Sequence, residues 1–189
     1  MVTDPSPLTA AEEELLELAG SVPDPELPML TLAELGVVRA LRTLAAEDGR
    51  PRAVEVDLTP TYTGCPAVQT MATDIERVLR EHGVPEVSVR TVLGPAWSTD
   101  DITAEGRRKL HAAGIAPPRS TGGRGAGPVP VSLGPTRAAG GERSGDDPVR
   151  CPLCGSADTE LLSRFSSTAC KALRRCLACR EPFDHFKEL

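Results

Sequence analysis

Leu8, Ala11, Leu15, Leu18 and Ala19 recur at helical spacing, which predicts a first helix from about Leu8 to Gly20. Thr9 stands where a cap is needed, and Glu12, Glu13 and Glu14 lie near the positive end of the helix dipole. VPDPELPML then breaks the pattern, because three prolines within six residues exclude regular helix and predict a constrained, turn-rich loop. Two strands are expected next, Leu35 to Leu44 and Ala53 to Thr59, around a turn at Glu47 to Pro51; Val54, Val56 and Leu58 alternate cleanly in the second. Val68, Met71, Ile75, Val78 and Leu79 share one face of a helix from Ala67 to His82, stopped by Gly83. A third strand, Val87 to Leu93, and a helix from Asp100 to Ala113 complete the order. The expected architecture is α+β, a small mixed three-stranded sheet with helices on one face, over residues 1–115.

The patterning fades after Gly114. Residues 116–150 are rich in Gly, Pro, Ser and charge and too poor in apolar side chains to offset the entropy of ordering, so a flexible linker is expected. PVPVSL within it is open to a second reading, a short docking strip for a partner. Residues 151–189 form a separate cysteine-bearing tail, expected to be a zinc-ribbon-like β domain.

Composition narrows the function classes. The chain of 189 residues holds one Trp, one Tyr and three Phe, which argues against an aromatic-lined cofactor pocket or a base-stacking surface. A net charge of -6 argues likewise against nucleic acid as a partner. The first residues lack the basic start and apolar run of a signal peptide and no stretch has the length of a membrane span, so a cytoplasmic protein with no membrane partner is expected.

Four of the six cysteines form two C-x-x-C knuckles, Cys151/Cys154 and Cys176/Cys179. Four thiolates so arranged suit tetrahedral zinc with every position filled by sulfur, and a tail this short needs such a staple to fold. The same sulfurs could hold iron, as in a rubredoxin-type electron carrier. Cys170 is left over, either a small buried hydrophobe or, functionally, an additional ligand or a thiol assisting metal transfer. His185, in FDHF, reads as a strand residue.

The isolated Cys65, in TPTYTGCPA, is expected at a helix start, where backbone N–H groups and the dipole lower a thiol's pKa and favour a reactive thiolate. Packing filler is the alternative. Asp24 and Glu26 on the proline-rich loop are either its chemical companions or a solvated turn. Cysteine hydrolase chemistry is a poor fit, since His82 is many helical turns from Cys65 and only folding could bring His111 near.

DPELPMLTLAELGVVR, TPTYTGCPA and PAWSTD together resemble the SufT-like iron-sulfur assembly domains. Joined to CPLCG, STACKAL and CLACREPFDHFKEL, they make nearly the whole chain resemble the D-component family of bacterial phenylacetyl-CoA epoxidase systems. The resemblance implies an accessory role in aerobic phenylacetate degradation, assisting maturation of an iron or iron-sulfur centre in the oxygenase or reductase subunits, without catalysis of its own. It implies cluster handling or partner binding at Asp24, Glu26, Thr61 and Cys65, with iron or a cluster held transiently at Cys65, and structural zinc at Cys151, Cys154, Cys176 and Cys179. A non-catalytic scaffold docking through the ribbon and an electron carrier are the other readings. Whether two copies pair as a homodimer is left open.

Overall fold

The computed structural model describes residues 8–47, 50–119 and 148–188. Helix α1 spans Ala10–Gly20 and opens with a reciprocal capping box, Thr9 accepting from the Glu12 N–H while the Glu12 carboxylate accepts from the Thr9 N–H. A short helix not anticipated from the sequence follows, α2 over Leu32–Leu35, capped in the same way by Thr31 and Glu34 and closed by Gly36 in the left-handed region (φ 73°). It displaces the first strand, expected from Leu35, to Val38–Glu47 (β1). The signal was present in the T-L-A-E spacing but was masked by the β-branched run behind it.

β1 pairs antiparallel with β2 (Arg50–Leu58), and β2 pairs in parallel with β3 (Glu86–Thr91), giving the mixed sheet β1-β2-β3. Val54, Val56 and Leu58 turn one face of β2 into the core. Helix α3, Val68–Glu81, buries Met71, Ile75 and Leu79, four residues apart along one stripe of that core. The opposite face of the sheet carries charge: Asp57 accepts from Arg42 (2.8 Å) and Arg90 (3.0 Å). The helix expected at Asp100 to Ala113 is divided, a 3-10 turn at Thr99–Asp101 preceding α4, Ala104–Ala112, whose first turn Thr103 caps. The break lies at Ile102 and Thr103, both extended, where the Thr103 N–H donates to the Glu34 carbonyl (2.9 Å) instead of continuing a helical ladder, while Asp101 caps the 3-10 turn by accepting from the Ser98 N–H (2.8 Å) and also binds Arg39 (2.9 Å).

The tail forms a second sheet, β4-β7-β6-β5, from Ile115–Ala116 (β4), Thr159–Ser163 (β5), Lys171–Cys176 (β6) and Pro182–Phe186 (β7). His185 lies in β7, as expected of it. β4 comes from the N-terminal part of the chain, and Ala116, expected to open the linker, pairs with His185. Of the expected linker, 120–147 lies outside the described residues, PVPVSL included. Ile115 and Phe186 of the second sheet join the core of the first, while Ala116, Cys151, Cys176 and Phe183 form a smaller core of their own; the Phe186 ring centroid lies 6.1 Å from that of Trp97, and the Trp97 Nε1–H donates to the Leu35 carbonyl (2.9 Å).

Candidate metal-handling site

The cysteine knuckles are shaped by their backbones. In the first, the Gly155 N–H donates to the Cys151 carbonyl (2.9 Å), with Gly155 at φ 75°. In the second, the Cys176 N–H donates to the Glu181 carbonyl (3.0 Å), and Arg180 takes the same left-handed conformation at φ 69°. The four sulfurs converge within 4.8 Å of one another, with Cys154 to Cys176 at 3.5 Å and Cys151 to Cys179 at 3.8 Å. Sulfurs each about 2.3 Å from one tetrahedral ion stand about 3.8 Å apart, so the group fits a four-thiolate metal site. The Cys179 N–H points at the Cys176 sulfur (3.5 Å) and lowers its thiol, while bonds among the crowded sulfurs push Cys154 and Cys179 up, so without a metal the four thiols share their charge.

Cys65 lies elsewhere, in the turn before α3. Gly64 supplies the positive φ (91°) that reverses the chain, and the Cys65 N–H donates to the Tyr62 carbonyl (3.3 Å). The position at a helix start is as the sequence implies; the electrostatics are not. Cys65 is only 8% exposed, and burial pushes its thiol up. Glu26 and Asp24 push it further, while the Ala67 N–H and the Tyr62 hydroxyl pull the other way without prevailing. The expectation of a low-pKa, reactive thiolate is therefore corrected: the thiol is sheltered, and burial with the Glu26 and Asp24 charges favours its neutral form. A cation able to displace its proton would also be attracted by those carboxylates.

Asp24 is 3% exposed, so the loop carrying it is not a solvated turn. One oxygen, Oδ1, accepts from the Glu26 N–H (2.9 Å) and the Leu27 N–H (2.7 Å), folding the D-P-E-L stretch about itself. Burial nonetheless raises its pKa, outweighing those two bonds. Glu26 is half-buried and raised by burial and by Asp24. Thr61 is half-buried in the same turn as Cys65. His82 reaches Glu14 (3.4 Å) and His111 is exposed on α4, and neither is among the groups bearing chiefly on Cys65. One neighbour was not foreseen at this site, Cys170 from the ribbon, for which the STACKAL motif was the available signal.

Residues 12–93 match the family described as iron-sulfur cluster assembly protein, and residues 135–187 the PaaD zinc beta ribbon domain. Over 174 residues the chain is 38% identical to the Escherichia coli (strain K12) protein assigned as the D component of 1,2-phenylacetyl-CoA epoxidase, covering 92% of this chain and 91% of that one. The chain belongs to the PaaD family. Similar solved structures include a DUF59 domain of unknown function from Bacillus anthracis, 27% identical with a TM-score of 0.46, covering 53% of this chain and 92% of that one. Another is a Mycobacterium tuberculosis protein described as associated with Fe-S complex assembly and repair, 29% identical with a TM-score of 0.32, covering 59% and 92%. As a PaaD-family chain it joins an iron-sulfur assembly domain to a zinc ribbon, and among its described residues no helix is long and apolar enough to cross a membrane.

Proposed function

We propose that this protein is an accessory component of a phenylacetyl-CoA epoxidase system that assists maturation of an iron or iron-sulfur centre in the partner oxygenase or reductase, in the cytoplasm. The observation that carries the reading is the sheltered Cys65 thiol set against the Asp24/Glu26 loop, within a domain matching the iron-sulfur assembly family. The cargo, iron or a cluster, is substrate. Cys65 supplies a soft donor, Glu26 a hard one, and Asp24 holds the loop in shape, while Thr61 lies in the turn where a partner would approach. A ligand protonated at rest binds by losing a proton and releases by regaining one, which suits handing over rather than storage. In the ribbon, Cys151, Cys154, Cys176 and Cys179 would hold zinc, which supplies folding energy with no open position for chemistry.

Cys65→Ser, co-expressed with the oxygenase and reductase subunits, is expected to lower iron content and epoxidase activity in the partners. Full iron occupancy there would overturn the reading. A second reading, a scaffold docking through the ribbon, is favoured by Leu161, Leu162 and Phe165, which lie exposed on and just after the edge strand β5. It predicts loss of co-purification with the oxygenase on changing these residues, with no dependence on Cys65. Zinc rather than iron in the purified tail would exclude the electron carrier.

A further inference from the structure

The two outer strands of the first sheet meet solvent differently. β1 departs from regular pairing at three places, between Val38 and Ala40, Thr43 and Ala45, and Ala45 and Ala46. Such irregularities blunt an edge against further pairing. β3 has none: Glu86 to Thr91 pair residue for residue with Ala53 to Leu58, and the strand holds neither Pro nor Gly. Among the described residues no strand pairs with its other side, where Glu86, Ser88, Arg90 and Thr91 are exposed.

Two bonds fix which backbone groups face that open side. The Val92 N–H donates to the Leu58 carbonyl (2.9 Å), so by the two-residue alternation of a strand Ser88 and Arg90 also turn their backbone groups toward β2. Val87, Val89 and Thr91 then turn theirs outward, and the Val87 carbonyl does accept from a side chain there, the Arg80 guanidinium (3.1 Å). Arg80 stands in for a missing strand neighbour and leaves that carbonyl a second lone pair. Along the same edge Arg90 binds Asp57 (3.0 Å) and is 53% exposed, while Glu86 makes no ion pair among the described residues.

We propose that β3 is the interface for a second copy of this chain: two β3 strands pair antiparallel about a two-fold axis at Ser88, joining the two three-stranded sheets into one. The stretch Glu86-Val87-Ser88-Val89-Arg90 selects both the occupant and the register. Laid against itself with Ser88 opposite Ser88, it sets Val87 opposite Val89, where the outward N–H and carbonyl groups meet, and Glu86 opposite Arg90 at both ends. An axis at Glu86 or Arg90 would instead set like charge on like, and one at Val87 or Val89 would leave the charges unmatched. Asp57 stands beside Arg90 in the β2 register, so the partner's Glu86 completes a row of alternating charge across the joint. The inference concerns β3 alone and stands apart from the maturation reading.

A joint this small associates weakly, so the test is sedimentation equilibrium of the zinc-saturated full chain up to about 200 µM, where the wild type is expected to dimerise. Val89→Pro removes an outward N–H, keeps every backbone bond to β2, and should leave monomer over that range. Glu86→Arg sets arginine opposite arginine at both ends and should weaken association at least about tenfold. Circular dichroism and Trp97 emission show which variants keep their fold; should Val89→Pro lose it, Glu86→Arg decides alone. The register is read separately from Ser88→Cys treated with diamide, which takes two electrons and two protons from the paired thiols. A disulfide-linked dimer is expected, because facing residues of a non-hydrogen-bonded pair stand about 4.5 Å apart. A wild type monomeric throughout would overturn the inference, and a protected Val89 amide in that monomer would give the edge to a segment of the same chain instead. A dimer indifferent to the folded variants, or a Ser88→Cys protein no more linked than the wild type, would overturn it as well.

Discussion

Replacing Asp24 separates geometry from charge in the loop that faces Cys65. In Asp24→Ala the Leu27 N–H, buried and bonded at 2.7 Å, is left without its acceptor. An orphaned buried donor costs about 1–3 kcal/mol. The Glu26 N–H is part-exposed and regains water, losing about 0.5 kcal/mol, and removing a buried carboxylate returns about as much, so the net cost is about 2 kcal/mol. Asp24→Asn behaves differently, because a single oxygen takes both bonds and the amide oxygen can replace it. The sign of the pH effect follows from the raised folded pKa: the stability associated with protonated Asp24 is complete below the ordinary aspartate value of 3.8 and is lost as pH climbs through the folded value. Asparagine never ionises, so at neutral pH it should cost under about 0.5 kcal/mol and leave the fold of the loop unchanged. Urea unfolding followed by Trp97 emission, with matched slopes, measures both variants. Equal destabilisation by Asn and Ala would refute the argument, since it would make the charge, not the acceptor geometry, responsible.

Chelation of the ribbon metal, or Cys176→Ser, should unfold the second sheet and change Trp97 emission through loss of Phe186, while helical circular dichroism from α1 and α3 persists. Arg180→Gly should stabilise the metal-loaded ribbon by about 0.5–1 kcal/mol, because arginine there occupies the left-handed conformation that Gly155 takes freely in the other knuckle, a gain that urea midpoints would register. Asp57→Asn should cost about 1–2 kcal/mol at neutral pH and flatten the acid limb of the stability curve. Its carboxyl is held below the usual range foremost by Arg42 and also by Arg90, so its contribution is present above 3.8 and lost as pH falls through the folded value, as urea midpoints on either side would record. Gly36→Ala should be strongly destabilising, because φ is 73° and a β-carbon would overlap the Asp101 carbonyl oxygen; a near-wild-type urea midpoint would contradict that packing.

The sequence by itself determined what depends on near neighbours. The Met71-Ile75-Leu79 stripe, the Val54-Val56-Leu58 alternation and the paired C-x-x-C spacing each specify a local structure, and these lie where the chain pattern implies. The short α2 was hidden because a single capped turn is too brief for periodicity to reveal. What only the tertiary structure decided depends on residues far apart in the chain. Helix-start geometry alone favours a thiolate at Cys65, but burial and the two carboxyls of a distant loop reverse that preference. Cys170 reads as a stray thiol until β4 joins the ribbon sheet and Phe186 packs near Trp97, seating it in the core that holds Cys65. Desolvation and Coulomb interactions act through space, so they become legible only once the packing of the two sheets is known.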